Sequence, residues 1–237
     1  MNTNSNTYTI VYSAVIVVVV AFLLAFVSQT LKPQQDANVA VDKQKQLLYA
    51  LNQDHNISNE QAASLYKQLV VADDVIDANG KVTENGTPGG TDHGFKLNSA
   101  DAKAGKLALY RCKVDGKDKY IIPVYGMGLW GGISGYIAIN EDKATVYGAY
   151  FNHEGETAGL GAEIKDNANW QKKFQGKHLF KEGQTGIALS VSKKVSDPDT
   201  EVDAVTGATL TSNGVSEMLH EGSAPHVKFL NENQNTG

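Results

Sequence analysis

The chain has 237 residues, a formal net charge of -5 at pH 7 and one cysteine, Cys112. This length allows one substantial domain with appendages, and the acidic balance gives no reason to expect nucleic-acid binding. A single cysteine excludes an internal disulfide, a cysteine-ligated iron–sulfur cluster and a cysteine-rich zinc site built by this chain alone.

The strongest compositional break lies at the N-terminus, where a polar segment (1–7) precedes an uncharged apolar segment (8–27). At about 1.5 Å per residue, a helix of that length crosses a hydrocarbon core of about 30 Å. A cleaved signal peptide fits less well, because the apolar run is long, no positive charge precedes it and no small-residue cleavage pattern follows. The sequence therefore predicts a single membrane-spanning helix over residues 8–27.

The segment after this helix leads into the main domain. Residues 28–40 are polar, contain one proline and predict a linker. Apolar residues at helical spacing predict two amphipathic helices, over 41–53 and 62–70, and Ser58 with Gln61 forms a capping-box pattern before the second. We expect one domain over 41–230 and a flexible tail over 231–237.

The rest of the domain alternates loop and strand patterns. Residues 79–105 carry the Gly, Pro, Asn and Asp density of a loop. A helix is expected over 166–176, with Asp166 as its N-cap, and another over about 213–220. Strands in runs with helices grouped at the ends predict an α+β fold of antiparallel strands with flanking helices. The predicted strands are LALYRCKV (107–114), KYIIPVY (119–125), ISGYIAIN (133–140), ATVYGAYFN (144–152) and GIALSVSKK (186–194).

The stretch GMGLWG (126–131) is a literal G-x-G-x-x-G motif. A dinucleotide site requires a helix to begin there, but the next residues are strand-like, so we reject that interpretation. The glycines still indicate close backbone approach. Trp130 is expected either in the core or against a flat ligand.

The stretch FNHEGETAGLGAE (151–163) places His153, Glu154 and Glu156 before a glycine-rich turn. It lacks the second histidine that a zinc protease motif needs, so we predict no metal site. Polar atoms, backbone N–H groups freed by glycine and one apolar side chain, Leu160, suit the binding of a heteroaromatic ring. Ordinary turn or core roles remain the alternative.

The stretch VTGATLTSNG (205–214) carries four hydroxyl side chains and ends where a helix is predicted. Thr211, Ser212 and Asn213 are expected at the start of that helix, whose free N–H groups would face a phosphate. A threonine hydroxyl is a poor nucleophile at neutral pH, and no histidine or lysine lies within the stretch. We therefore predict an acceptor for a modification that another enzyme installs, with a simple surface turn as the alternative.

Four features in this order resemble the NqrC family, the flavoprotein subunit of the Na⁺-translocating NADH:quinone reductase that contains an FMN-binding domain. They are the apolar span, G-x-G-L-W-G-x-x-x-G-Y, H-x-x-E-T-x-G-L-G and D-x-x-T-G-A-T-L-T-S, and together they cover nearly the whole chain. In that family the last threonine of [ST]-G-A-T carries FMN through a phosphoester, which the resemblance assigns to Thr209. Ala158 stands where the family commonly has proline.

The resemblance also implies the other residues of the flavin site. Asp203 matches the leading acid of the attachment motif. The remaining cofactor-binding residues implied are Thr206, Gly207, Ala208 and Leu210 beside the attachment point, and Leu129, Trp130, Glu156, Thr157 and Leu160 around the flavin ring.

The function implied is that of an electron-transfer subunit with covalent FMN and no catalytic residue of its own, inactive outside its complex. The implied partners are the other membrane subunits of the reductase complex (A, B, D, E and F), a flavin transferase and the lipid bilayer. Lysines follow the span and none precedes it, which by itself weakly favours a cytoplasmic domain. The resemblance instead places the domain on the periplasmic side of the bacterial inner membrane. An RnfG-type flavoprotein of the related Rnf complexes, or a membrane-tethered binding module without covalent flavin, are the alternatives.

Overall fold

The computed structural model describes residues 5–233, which divide into two units between Lys43 and Gln44. The first unit is helical and belongs to α1 (Asn6–Ala50), whose apolar segment is exposed. Within residues 5–233, α1 is the one helix that is long and apolar enough to cross a membrane. Residues 28–40, predicted as a linker, are helical instead. Pro33 removes one backbone hydrogen bond, but the surrounding Gln, Leu, Lys and Ala residues favour a helix.

The second unit begins with the end of α1 and with α2 (Asn59–Leu69). The predicted capping box is confirmed: the Ser58 hydroxyl accepts a hydrogen bond from the Gln61 N–H, and the Gln61 side chain accepts one from the Ser58 N–H. The helix ends at Leu69 because the chain turns directly into the first strand at Val70.

A six-stranded, fully antiparallel sheet forms the centre of this unit, in the order β2-β1-β3-β4-β5-β6. The predicted α+β class is confirmed, although a small parallel pair, β7 with β8, lies outside the main sheet. The strands are β1 (Val70–Ile76), β2 (Val82–Glu84), β3 (Leu107–Val114), β4 (Lys117–Met127), β5 (Gly132–Asn140), β6 (Val146–His153), β7 (Ser190–Ser192) and β8 (Glu201–Asp203).

Helices lie around the sheet, and the longest of them, α6 (Thr209–Ser223), packs against β4. There Gly126 faces Met218, and Gly222 faces Val124, so both glycines permit close contact between helix and strand. The remaining helices are α3 (Ser99–Lys103), α4 (Glu163–Asp166), α5 (Ala168–Lys172) and α7 (Val227–Leu230).

Strand β1 was not predicted, and its sequence VVADDVI explains why. Two adjacent acids usually indicate exposure, yet Asp73 and Asp74 are fully buried. The Asp73 carboxylate accepts hydrogen bonds from the N–H groups of His93 and Phe95, and Asp74 pairs with Arg111. Contacts from a loop and from strand β3, which sequence periodicity does not report, therefore satisfy the two buried carboxylates.

Several predicted boundaries are wrong. The predicted loop 79–105 contains both β2 and α3. The helix expected over 166–176 is shorter: α4 ends at Asp166, α5 covers only Ala168–Lys172, and the N-cap of α5 is Asn167 instead of Asp166, its side chain accepting from the Trp170 N–H at 3.1 Å. The fifth predicted strand is reduced to β7, and α6 begins at Thr209 instead of 213.

The predicted flexible tail is partly ordered. Residues 231–233 form a 3-10 turn, and buried Asn231 donates a side-chain hydrogen bond to the Thr185 carbonyl at 3.1 Å. Residues 234–237 lie outside the described residues.

Buried His226 should make the stability of this domain pH-dependent. Its Nε2 lies 3.2 Å from the Ala108 carbonyl oxygen, and burial lowers the pKa of its imidazole from 6.5 to about 4. Between pH 6.5 and 4, the unfolded chain therefore binds a proton at this histidine and the folded chain does not. The free energy of unfolding keeps its full value above pH 6.5 and decreases as the pH falls towards 4. The loss should reach about 3 kcal/mol.

Urea unfolding of the full chain in detergent from pH 7.5 to 4 measures this effect. His226→Gln should flatten the pH profile between 6.5 and 4, whereas His178→Gln, at an exposed position, should leave it unchanged. An equal slope in the wild type and in His226→Gln would contradict the assignment.

Candidate functional site

Three segments of the second unit meet at one end of the sheet: the turn 128–131 between β4 and β5, the loop 154–161 after β6, and the segment 205–211, which is a turn followed by the first residues of α6. The first of these is a hairpin turn, in which the Gly128 N–H donates to the Gly131 carbonyl at 2.8 Å. Strand β5 follows it directly, so the predicted strand after the glycines is confirmed and the helix start that a dinucleotide-binding motif requires is not found there.

The Glu156 carboxylate connects the three segments. One oxygen, Oε1, accepts from the Trp130 N–H at 2.9 Å, and the other, Oε2, accepts from the Thr211 hydroxyl at 2.6 Å. Its own N–H donates to His153 Nδ1 at 3.2 Å. The side chains of Glu156 and Thr211 are buried. The carboxylate therefore makes its hydrogen bonds inside the protein, whereas the resemblance implies that it lies around the flavin ring.

Glycines surround this carboxylate because a larger residue would displace it. A Cβ atom at Gly128 would overlap Oε1, and one at Gly161 would overlap Oε2. The glycines of the two sequence motifs thus make room for an internal carboxylate, and the sequence analysis predicted only that backbone would approach closely there.

Large apolar side chains on these three segments and at the end of β4 are exposed, and we call them the apolar rim. Single exposed apolar residues are common, but several on adjoining segments mark a ligand or partner surface. The rim consists of Met127 (67% exposed), Leu129 (47%), Trp130 (68%), Leu160 (43%) and Leu210 (59%). All except Met127 are among the residues implied to bind the flavin. Met127 was missed, and only its position at the end of a buried strand, β4, could have indicated it.

The turn before α6 requires a glycine. The Ala208 N–H donates to the Val205 carbonyl at 3.1 Å, and Gly207, the third residue of this turn, has φ +77°. Thr206 and Gly207 are exposed, whereas Ala208 is buried. The small residues of the motif therefore form a tight and accessible turn.

The four hydroxyls of this stretch fall into two pairs. Thr211 donates to Glu156, and the Ser212 hydroxyl accepts from the Val205 N–H at 3.1 Å, so both are buried and engaged. Thr206 and Thr209 are exposed. The expectation that Thr211, Ser212 and Asn213 begin the helix is wrong, because α6 begins at Thr209, and the hydroxyls of Thr211 and Ser212 turn inward.

Thr209 is the first residue of α6, a 15-residue helix. The N-cap position is Ala208, which has no side chain able to accept a hydrogen bond from the first turn. Uncapped N–H groups at a helix start favour a bound anion. Exposed Leu210 follows, so this helix start combines an accessible hydroxyl, unused donors and part of the apolar rim.

The other implied residues lie nearby. Exposed Thr157 is in the loop 154–161, where its carbonyl accepts from the Leu160 N–H. Asp203 ends β8; its carboxylate pairs with Lys173 at 2.8 Å, and its carbonyl accepts from the Trp170 indole at 2.7 Å. A cleft of about 380 Å³ is lined by Asp203, Lys173, Trp170 and Thr206, among others. No sequence pattern links Lys173 to Asp203, so this partner was missed.

No metal-binding group of three or more His, Cys, Asp or Glu residues is found in residues 5–233.

Replacing Gly207 with alanine should destabilise the domain by about 1–2 kcal/mol, because an L-residue at positive φ is strained. The new Cβ would also lie 2.9 Å from Leu160 Cδ2. Gly176→Ala is a matched control, since Gly176 has φ +79° and no atom within 4 Å of the added Cβ. Urea unfolding should give similar losses for the two variants, because the exposed Leu160 side chain can move away from the added Cβ, and an unchanged stability of Gly207→Ala would contradict the strained turn.

Comparison with protein families and relatives agrees with this geometry. The model of the FMN-binding domain family matches residues 128–223, which include all three segments. The NqrC protein of the Na⁺-translocating NADH-quinone reductase of Haemophilus ducreyi is 31% identical over 228 residues, covering 90% of this chain and 88% of the relative. The Pseudomonas aeruginosa NqrC protein is 32% identical over 241 residues, covering 92% of each chain.

Solved structures resemble the fold as well. The crystal structure of NqrC from Parabacteroides distasonis has a TM-score of 0.76 and 36% identity, covering 84% of this chain and 96% of that chain. The Shewanella oneidensis NqrC structure has a TM-score of 0.66 and 25% identity, covering 83% of this chain and 98% of that one.

Proposed function

This chain belongs to the NqrC family of the Na⁺-translocating NADH-quinone reductase, and on that premise we propose that it carries FMN covalently, through a phosphoester to the Thr209 hydroxyl. The observation that carries the proposal is the location of Thr209. It is an exposed hydroxyl at the uncapped start of α6, and Leu210 of the apolar rim is the next residue. The other two hydroxyls of α6 near this end are buried and engaged.

The described residues fit FMN in two respects. The uncapped start of α6 suits the negative charge of a phosphodiester, and the apolar rim suits a heteroaromatic ring. Thr206, Gly207 and Ala208 would leave the approach to Thr209 open. When bound, FMN supplies one-electron and two-electron redox chemistry, and the protein supplies attachment and surroundings.

Attachment requires an activated flavin, in which the FMN phosphate is joined to a leaving group. The Thr209 oxygen forms the new P–O bond, the leaving group departs with the electrons of the old one, and the threonine proton goes to a base. The stretch 205–214 contains no histidine or lysine. We therefore assign the base, and the enzyme that positions the donor, to a flavin transferase.

The proposed setting is the bacterial inner membrane, with α1 as a single span and the domain on the periplasmic side. There the flavin would pass electrons between other members of the reductase complex (A, B, D, E and F). The apolar segment of α1 supports the membrane anchor. Within the span 8–27 the sequence has no charged residue, so this chain is not expected to form the sodium path by itself.

The test is coexpression of the full chain with and without the flavin transferase of its host. We expect a fluorescent band on a denaturing gel only with the transferase, and an intact mass increased by FMN less water. Covalent attachment would be rejected if the coexpressed protein stayed dark and unmodified while the same transferase labelled another substrate. Flavin that copurifies and is released on denaturation would indicate a non-covalent binding module.

A further inference from the structure

We propose that Glu156 and Thr211 form a positioning pair that fixes the turn 128–131 against the start of α6 and places a negative charge beside the flavin. The proposal rests on the function proposed above, because it concerns the surroundings of that flavin. Neither residue is proposed to contact FMN directly. Thr211 is two positions beyond Thr209 on α6, and Glu156 comes from a loop 55 residues earlier.

The geometry favours positioning over ligand contact. Glu156 is 8% exposed and Thr211 2%, and each Glu156 oxygen accepts a hydrogen bond from a different segment. A carboxylate that accepts hydrogen bonds at both oxygens matches the acceptor-only, ionised form. The pair therefore places a buried anion at the first turn of α6, where the helix dipole stabilises it.

The pair also determines where two residues of the apolar rim lie. Leu129 and Trp130 are exposed on a four-residue turn, and the Trp130 N–H is bonded to Glu156. Losing the Thr211 hydroxyl would leave Oε2 buried without a donor, which costs enough for the carboxylate to turn away from its site. The turn would then lose its hydrogen-bonded link to the start of α6, and the rim would be held less firmly in place.

Thr211→Val tests the mechanical part, because valine keeps the shape of the side chain and removes the hydroxyl. In flavin-free protein, we expect backbone hydrogen exchange in the turn 128–131 to accelerate about ten-fold or more. Thr211→Ser should restore the slow exchange. Ser223→Ala is the matched control, since it removes a buried hydroxyl without a hydrogen-bond partner from the far end of α6 and should change nothing in this turn.

Glu156→Gln tests the electrostatic part in the flavin-loaded full chain. Reduction adds negative charge to a flavin, and a nearby fixed anion opposes this, so neutralising Glu156 should raise the midpoint potential. If Glu156 had a purely structural role, this isosteric substitution would leave the midpoint potential unchanged. Thr211→Val should also shift the visible absorption of the attached flavin, and Thr211→Ser should not.

The outcomes separate the two proposals. If the wild type carries no covalent flavin, the proposed function fails, and hydrogen exchange still tests the mechanical link. If the wild type carries covalent flavin, but Thr211→Val has wild-type exchange or Glu156→Gln has the wild-type potential, the positioning pair is rejected and the attachment site stands.

Discussion

Thr209→Ala should abolish covalent flavin attachment and leave the fold intact. The substitution removes the one hydroxyl that is both exposed and located at the uncapped start of α6. Because the side chain is exposed and caps nothing, we expect a change in stability within about 0.5 kcal/mol. In coexpression with the flavin transferase, the variant should give a dark band and the unmodified intact mass.

Two variants control this experiment. Thr209→Ser keeps a hydroxyl at the same position and should retain some flavin, whereas Asn213→Ala, an exposed change one turn along α6, should label like the wild type. A fluorescent Thr209→Ala protein would reject the assignment. Peptide mapping would then be expected to find the label at Thr206, the other exposed hydroxyl of the stretch.

Gly214→Ala should destabilise the domain, although alanine favours a helix over glycine by about 1 kcal/mol. Gly214 lies inside α6, where an added Cβ would overlap the carbonyl oxygen of Met127 at the end of β4. The obstacle is backbone and cannot rotate away, so α6 or the strand must move. We expect a net loss of about 2 kcal/mol or more, because overpacking of this kind outweighs the gain in helix propensity.

Urea unfolding compares Gly214→Ala with Asn213→Ala, a substitution at the neighbouring exposed position. Asn213→Ala should be neutral or slightly stabilising. The displaced strand end leads directly into the turn 128–131, so Gly214→Ala should also accelerate hydrogen exchange in that turn. Wild-type stability in Gly214→Ala would mean that α6 does not approach Met127 as closely as described.

Local patterns in the sequence were sufficient for features that depend on neighbouring residues. The capping box at Ser58 and the four strands after residue 107 follow from short-range chemistry. The same holds for the hairpin at 126–131, because a strand-like segment directly after the glycines excludes a helix there.

Features that depend on distant partners were not predictable. The four hydroxyls of 205–214 are alike in sequence, and the contacts with Glu156 and Val205 bury Thr211 and Ser212. The start of α6 has alanine at its N-cap, so no capping signal marks it. A helix without a cap is less stable by itself, and the donors left free are the ones that a bound phosphate would use.

The two edges of the main sheet affect whether crowded copies of this protein can aggregate by pairing their strands. One edge is β2, which has three exposed residues and a register irregularity where it meets β1. At the other edge α4 and α5 pack beside β6, and Thr145 pairs with His178. Short, irregular or covered edges resist the addition of a strand from another molecule. Within the described residues, crowded copies of this protein would therefore find a short, irregular edge at β2 and an edge already paired at the start of β6.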